Sequence, residues 1–227
     1  MEDHFPLGDE LFFIGVSGIY SRREDSIRHA LEDAARRFAF FQSVGGGILH
    51  NEYTGPGVFD YKNEYQGKLF YDEDVTKYIE QLQFDPGTDV FEENRTVFVR
   101  TRYRASHKLP TGSGLVSQKE RPRWVDDPPA QIEGFLTGLG YAAPQSAYKD
   151  TIIKSYENAV YAIIKTLSGE LQSKQETYEN SARAFGFYAS TENTVISQGT
   201  LKDFYILESW TDPSTRAVWT LAVAAAD

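Results

Sequence analysis

The chain has 227 residues, a formal net charge of −10 and no cysteine. That acidity argues against a nucleic-acid backbone as the partner and against tight docking on an anionic bilayer. The missing thiols exclude a disulfide framework, a thiol nucleophile and a thiolate zinc site. Hydrophobic residues at 41% and charged residues at 25% describe a globular chain able to bury its own core. No apolar run approaches the roughly 20 residues of a spanning helix, so no transmembrane segment is expected. Met1-Glu2-Asp3-His4 offers neither a charged n-region nor an apolar h-region, so no export signal is expected at this start.

Leu11 to Gly18 is a continuous apolar run, as in a strand covered on both faces. Ser21-Arg22-Arg23-Glu24 then reads as a capping box. Ile27, Leu31, Ala34, Phe38 and Phe41 follow at three- and four-residue steps and predict an amphipathic helix, which Gly45-Gly46-Gly47 should end. Ile48 to Tyr53 reads as a second strand, Val58 to Tyr71 as extended chain or a hairpin, and Asp74 to Gln83 as a helix. Thr88 to Phe91 and Thr96 to Tyr103 form a hairpin pattern. Residues 105–131 concentrate Pro110, Pro122, Pro128 and Pro129 and read as a linker or surface excursion. Beyond it, Ile132 to Tyr141 is a strand and Ser146 an N-cap. Ile152, Tyr156, Ala159, Ile163 and Leu167 are the stripe of a second long helix. Leu171 to Tyr178 reads as a strand and Ser181 to Ala189 as a short helix, before a closing hairpin of Leu201–Trp210 and Arg216–Val223.

The two halves repeat each other. Leu11 and Leu136, Gly15 and Gly140, Ser21 and Ser146, Ile27 and Ile152, and Ala34 and Ala159 all stand 125 positions apart. The expected fold is therefore α+β, with two tandem related modules at 10–104 and 132–226 around the linker. Each module should carry an antiparallel-rich sheet with its long amphipathic helix packed on one face. Ala34 and Ala159 should occupy equivalent positions facing those sheets.

Gly134 to Gly140, the helix positions Ser155, Asn158, Ala159 and Ala162, and the ending Ser197 to Trp210 with Val218 to Ala222 resemble the LPP20-like lipoprotein family of bacterial envelopes. The first half resembles a more diverged copy through Ala30, Asp33, Ala34, Ala35 and Arg36. The resemblance implies a non-enzymatic cell-envelope protein of the periplasm or outer membrane, acting through protein–protein contacts with an envelope partner. It also implies a lipid anchor on an N-terminal cysteine, which would require a native N-terminus other than this one. It brings no catalytic residue, cofactor or metal.

Side-chain chemistry adds little. Gly15-Val16-Ser17-Gly18 lacks the third glycine of a dinucleotide loop and reads as a strand end needing close backbone packing. His29 and Asp33 read as a solvated pair on a polar helix face, not as metal ligands. Alternation puts Arg100, Arg102 and Arg104 on one strand face, with Arg121 and Arg123 following in the linker. This stripe is a candidate anion or partner contact, or else an exposed face neutralised by nearby carboxylates. Tyr53, Tyr61, Tyr65 and Tyr71 form a candidate aromatic contact surface. The alternative function is a glycan- or small-anion-binding protein using that aromatic hairpin or the cleft between modules.

Overall fold

A computed structural model describes residues 5–52, 66–113, 116–117, 120–179 and 193–225. The first half contains β1 (Leu7–Gly18), α1 (Arg23–Gln42), β2 (Val44–Glu52), β3 (Gln66–Phe70), α2 (Thr76–Ile79), β4 (Val90–Glu93) and β5 (Thr96–Pro110). After β6 (Val116–Ser117) and a 3-10 turn at Arg123–Val125 come β7 (Gln131–Ile132), β8 (Phe135–Ala142), α3 (Tyr148–Glu179), β9 (Asn193–Thr211) and β10 (Val218–Ala225). The fold is α+β. A three-stranded antiparallel sheet has the order β1-β5-β4, and a seven-stranded sheet the order β3-β2-β9-β10-β8-β7, with β6 pairing parallel to β9. Within the large sheet, β8-β10-β9 reproduces the order β1-β5-β4: the strand before a long helix lies beside the last strand of a hairpin.

The helices meet these sheets in the same way twice. A Cβ on Gly15 would lie 1.8 Å from the Ala30 carbonyl oxygen and 2.6 Å from the Ala34 nitrogen. On Gly140 it would lie 1.9 Å from the Ser155 carbonyl oxygen and 2.6 Å from the Ala159 nitrogen. Residues 15, 30 and 34 become 140, 155 and 159 at the single offset of 125. Strand and helix backbones touch there, which only glycine permits. Ala34 and Ala159 are both fully buried beside those contacts. Ala34→Leu should cost about 1–3 kcal/mol by overpacking, read as a lower denaturant midpoint at unchanged slope.

Entry into each helix is matched too, but by hydroxyls other than those expected. Ser21 makes no cap; α1 starts after Arg22, whose guanidinium pairs with Asp25 at 2.9 Å. Ser26 Oγ accepts from the Tyr20 backbone N–H at 2.9 Å, and Thr151 Oγ1 accepts from the Gln145 N–H at 2.9 Å. These pairs again stand 125 apart. A hydroxyl in the first turn therefore holds the incoming chain, where a capping box would have used a residue before it.

Three other expectations are corrected. Gly45-Gly46-Gly47 does not stop α1; Ser43 leaves the helix in extended geometry and the glycines lie inside β2, between β3 and β9. Gly46 serves close packing there, since a Cβ on it would come 2.9 Å from Ile164 Cδ1. Leu171 to Tyr178 continues α3, with no proline to end it and Glu, Gln and Lys as helix formers. The chain after residue 105 begins as β5, pairing with Gly8 and Leu7 through Leu109 and Pro110. The short helix expected at 181–189 lies outside the described residues.

β2 and β3, from the first half, extend the sheet of the second through nine β2–β9 residue pairs. Even-numbered β9 and β10 residues such as Phe204, Ile206, Ala222 and Ala224 pack in one cluster with Tyr156, Ile163 and Ile164 of α3. Odd-numbered Tyr205, Leu207, Leu221 and Val223 pack in another with Phe13, Phe38 and Phe41. The large sheet is thus covered on both faces, and each of the two clusters draws residues from both halves. Among the described residues no helix is long and apolar enough to cross a membrane.

Candidate functional site

The buried face of α1 carries charge. Asp33 and Arg37 are 5% and 8% exposed, on the same side of the helix as Ala30 and Ala34. Asp33 Oδ2 accepts from the Val16 backbone N–H at 2.9 Å and from Arg37 Nη2 at 2.5 Å, while Oδ1 accepts from Arg36 Nη1 at 3.2 Å. The equivalent position in α3, 125 residues on, is Asn158, whose Nδ2 donates to the Tyr141 carbonyl at 2.6 Å. Helix-to-edge contact is therefore made in the second half by a neutral amide, with Ala162 where the first half has Arg37. Packing does not demand an ion pair here.

Arg37 lies across the boundary between the halves, its Cζ 3.9 Å from the centre of the Tyr156 ring on α3. A desolvated stack of this kind contributes up to about 2 kcal/mol. Arg37 Nε and Tyr156 Oη are buried and make no hydrogen bond among the described residues. The Ser209 hydroxyl is instead engaged with Thr220 Oγ1 at 3.0 Å. On one side of the pair is a cavity of about 10 Å³ lined by Phe12, Ile14, Arg37, Tyr156 and Tyr205 among others, the volume of one water. Tyr205 Oη accepts from the Phe12 N–H at 3.1 Å, and burial pushes that hydroxyl up to about 12. Because Tyr156 Oη gains nothing from burial, Tyr156→Phe should change stability by less than about 1 kcal/mol, or raise it. Tyr156→Ala should lose about 3–5 kcal/mol. Chemical denaturation of both variants checks this, and a large loss in the phenylalanine variant would reveal a partner for the hydroxyl.

Arg37 and Tyr156 also line a larger cleft of about 310 Å³, bounded by α1, α3 and β3. Asp33, Arg36, Arg37 and Phe40 line it from α1; Lys68, Leu69 and Tyr71 from β3 and just beyond; Ile153, Lys154, Tyr156, Glu157 and Tyr161 from α3. Four cationic side chains thus face two carboxylates, in a chain of net charge −10. Phe40 and Tyr71 meet edge-on at 4.8 Å between ring centres. Burial, followed by the nearby Glu157 carboxylate, pushes Tyr161 up to about 12; burial, opposed by Arg37, also raises Tyr156. Both hydroxyls stay protonated and add no negative charge.

Each arginine of the anticipated stripe already has a carboxylate partner, with Arg100 and Arg102 sharing one. Arg100 Nη2 and Arg102 Nη2 each donate at 2.9 Å to Asp89, whose side chain is fully buried. Burial is the largest influence on Asp89 and would raise it, but the bonds from Arg102 and Arg100 hold it below the usual carboxylate value. Arg104 pairs with Asp9 at 3.1 Å, Arg121 with Asp126 and Arg123 with Asp127 at 3.2 Å. Arg121 also lies over the Trp210 and Trp219 rings at 5.5 and 6.0 Å. Of the aromatic surface, Tyr71 lines the cleft, while Tyr53, Tyr61 and Tyr65 lie outside the described residues.

His29 pairs with Glu32 at 2.9 Å, not with Asp33, which turns inward to β1. Among the described residues no cluster of three or more His, Asp or Glu could hold a metal ion. No family model, curated protein or solved structure matches the chain, so the site is argued from its own geometry. Sequence reading missed Arg36, Arg37, Lys68 and Lys154 as a group. The available signal was the Asp33–Arg37 pair in step with Ala30, Ala34 and Phe41, which puts charge on the buried face.

Proposed function

We propose that this is a non-enzymatic binding protein that holds a small anion in the cleft between α1 and α3, where its two halves meet. The observation that carries this is the local excess of cations, four against two carboxylates, inside an acidic protein. Partly enclosed charges of one sign concentrate an oppositely charged ligand. Asp33 is spent on three donors, which favours binding over proton transfer. Thermal unfolding with a panel of small anions tests the reading. A ligand at one hundred times its Kd adds about 2.7 kcal/mol to the folded state. The gain should shrink in Arg36→Ala, a half-buried position, with the fold checked by an unchanged circular dichroism spectrum. No gain with any anion in the panel would refute it.

A second reading, of an LPP20-like envelope protein in the periplasm or outer membrane that contacts an envelope partner, draws on the sequence resemblance. Phe70, 58% exposed at the edge strand β3, would give such a partner an aromatic anchor. Fractionation of the native host, with the N-terminus mapped for a lipidated cysteine, tests this; recovery only with cytosolic proteins would refute it.

A further inference from the structure

We infer that the anion bound in this cleft is a small phosphate monoester carried on an apolar ring or short chain, an inference that rests on the anion-binding reading above. The charge balance sets the headgroup. Asp33 is shared by Arg36 and Arg37, so that trio keeps one positive charge. Lys154 and Glu157 lie 3.6 Å apart and cancel. Lys68 has no carboxylate partner among the described residues; its ammonium lies 5.8 Å from the centre of the Phe70 ring and supplies a second charge at the rim of the cleft. Two uncompensated positive charges match a dianion. Arg36, 41% exposed on its side chain, keeps further N–H donors for phosphoryl oxygens.

The walls set the rest of the molecule. Phe40, Leu69, Tyr71 and Ile153 give the cleft an apolar lining beside the charges. Edge and face of the Phe40–Tyr71 pair offer a ring or chain a contact that a free inorganic ion cannot use. At about 310 Å³ the cleft is at the lower limit of ligand sites, which run from about 300 to 1,000 Å³. One ring or short chain with one phosphoryl group fits that limit, and an oligosaccharide does not.

Calorimetric titration of the full chain with phenyl phosphate, inorganic phosphate, benzoate and benzyl alcohol tests this. Phenyl phosphate should bind at least about tenfold tighter than inorganic phosphate and than benzoate, and benzyl alcohol should not bind. Lys68→Met, at an exposed site and checked for an unchanged circular dichroism spectrum, should weaken phenyl phosphate about tenfold and benzoate less. Equal affinity for inorganic phosphate would overturn the apolar body, and equal affinity for benzoate the dianionic headgroup, while the anion-binding reading would survive both. Unchanged phenyl phosphate binding in Lys68→Met would place the ligand elsewhere and overturn the inference. Failure of every anionic probe would defeat the anion-binding reading with it.

Discussion

Alanine at Gly140 should destabilise the protein by about 3 kcal/mol or more, and alanine at Gly15 by a similar amount. The added carbon would fall 1.9 Å from the Ser155 carbonyl oxygen in one case and 1.8 Å from that of Ala30 in the other. Neither neighbour is a side-chain tip that can swing away. Each is helix backbone, so the whole helix must lift off its strand, opening the core around Ala159 or Ala34. Gly47 is the control, because a Cβ there meets nothing within 4 Å. Gly47→Ala should stay within about 0.5 kcal/mol. Equilibrium urea unfolding of the three variants reads the comparison; a mild effect at both Gly15 and Gly140 would contradict the shared helix–strand contact.

The second large effect belongs to Asp33. Asp33→Ala should cost about 3–5 kcal/mol, because it leaves the Arg37 guanidinium buried without its carboxylate. It also strips the Val16 N–H of its acceptor. Most of that loss should return in Asp33→Ala with Arg37→Met, where the charge is removed together with its partner. The second half already follows this rule, with Asn158 and Ala162 in place of Asp33 and Arg37. Rescue in the double variant would show that the ion pair is dispensable for folding. Failure to rescue would make Arg37 a structural group in its own right, through its stack on Tyr156.

The helix–strand crossings were legible because they are local and occur twice. Gly15, Ala34, Gly140 and Ala159 could be placed from a constant offset and helical spacing alone, and Gly15 meets Ala34 as Gly140 meets Ala159. Pairing between β2 and β9 was not legible, since nothing near residues 44–52 names a partner some 150 residues away. The cleft was hidden for the same reason: Lys68 comes from β3, which reaches α1 and α3 only through that pairing. Asp33 was misread beside His29 as one of a solvated i,i+4 pair, and Arg37 was passed over. Their phase relative to Ala30 and Ala34 was the stronger clue. The basic stripe stood out in sequence because Arg100, Arg102 and Arg104 alternate, yet Asp89, eleven residues before Arg100, was its matching acid.

The most direct measurement is an amide chemical-shift titration of the full chain with phenyl phosphate at constant ionic strength. Perturbations should cluster on α1 around Asp33 to Phe40, on Lys68 to Tyr71, and on α3 around Ile153 to Tyr161, saturating together with one Kd. Perturbations centred on Arg100 to Arg104, or shifts spread evenly over exposed lysines and arginines without saturation, would contradict a binding site between the two helices.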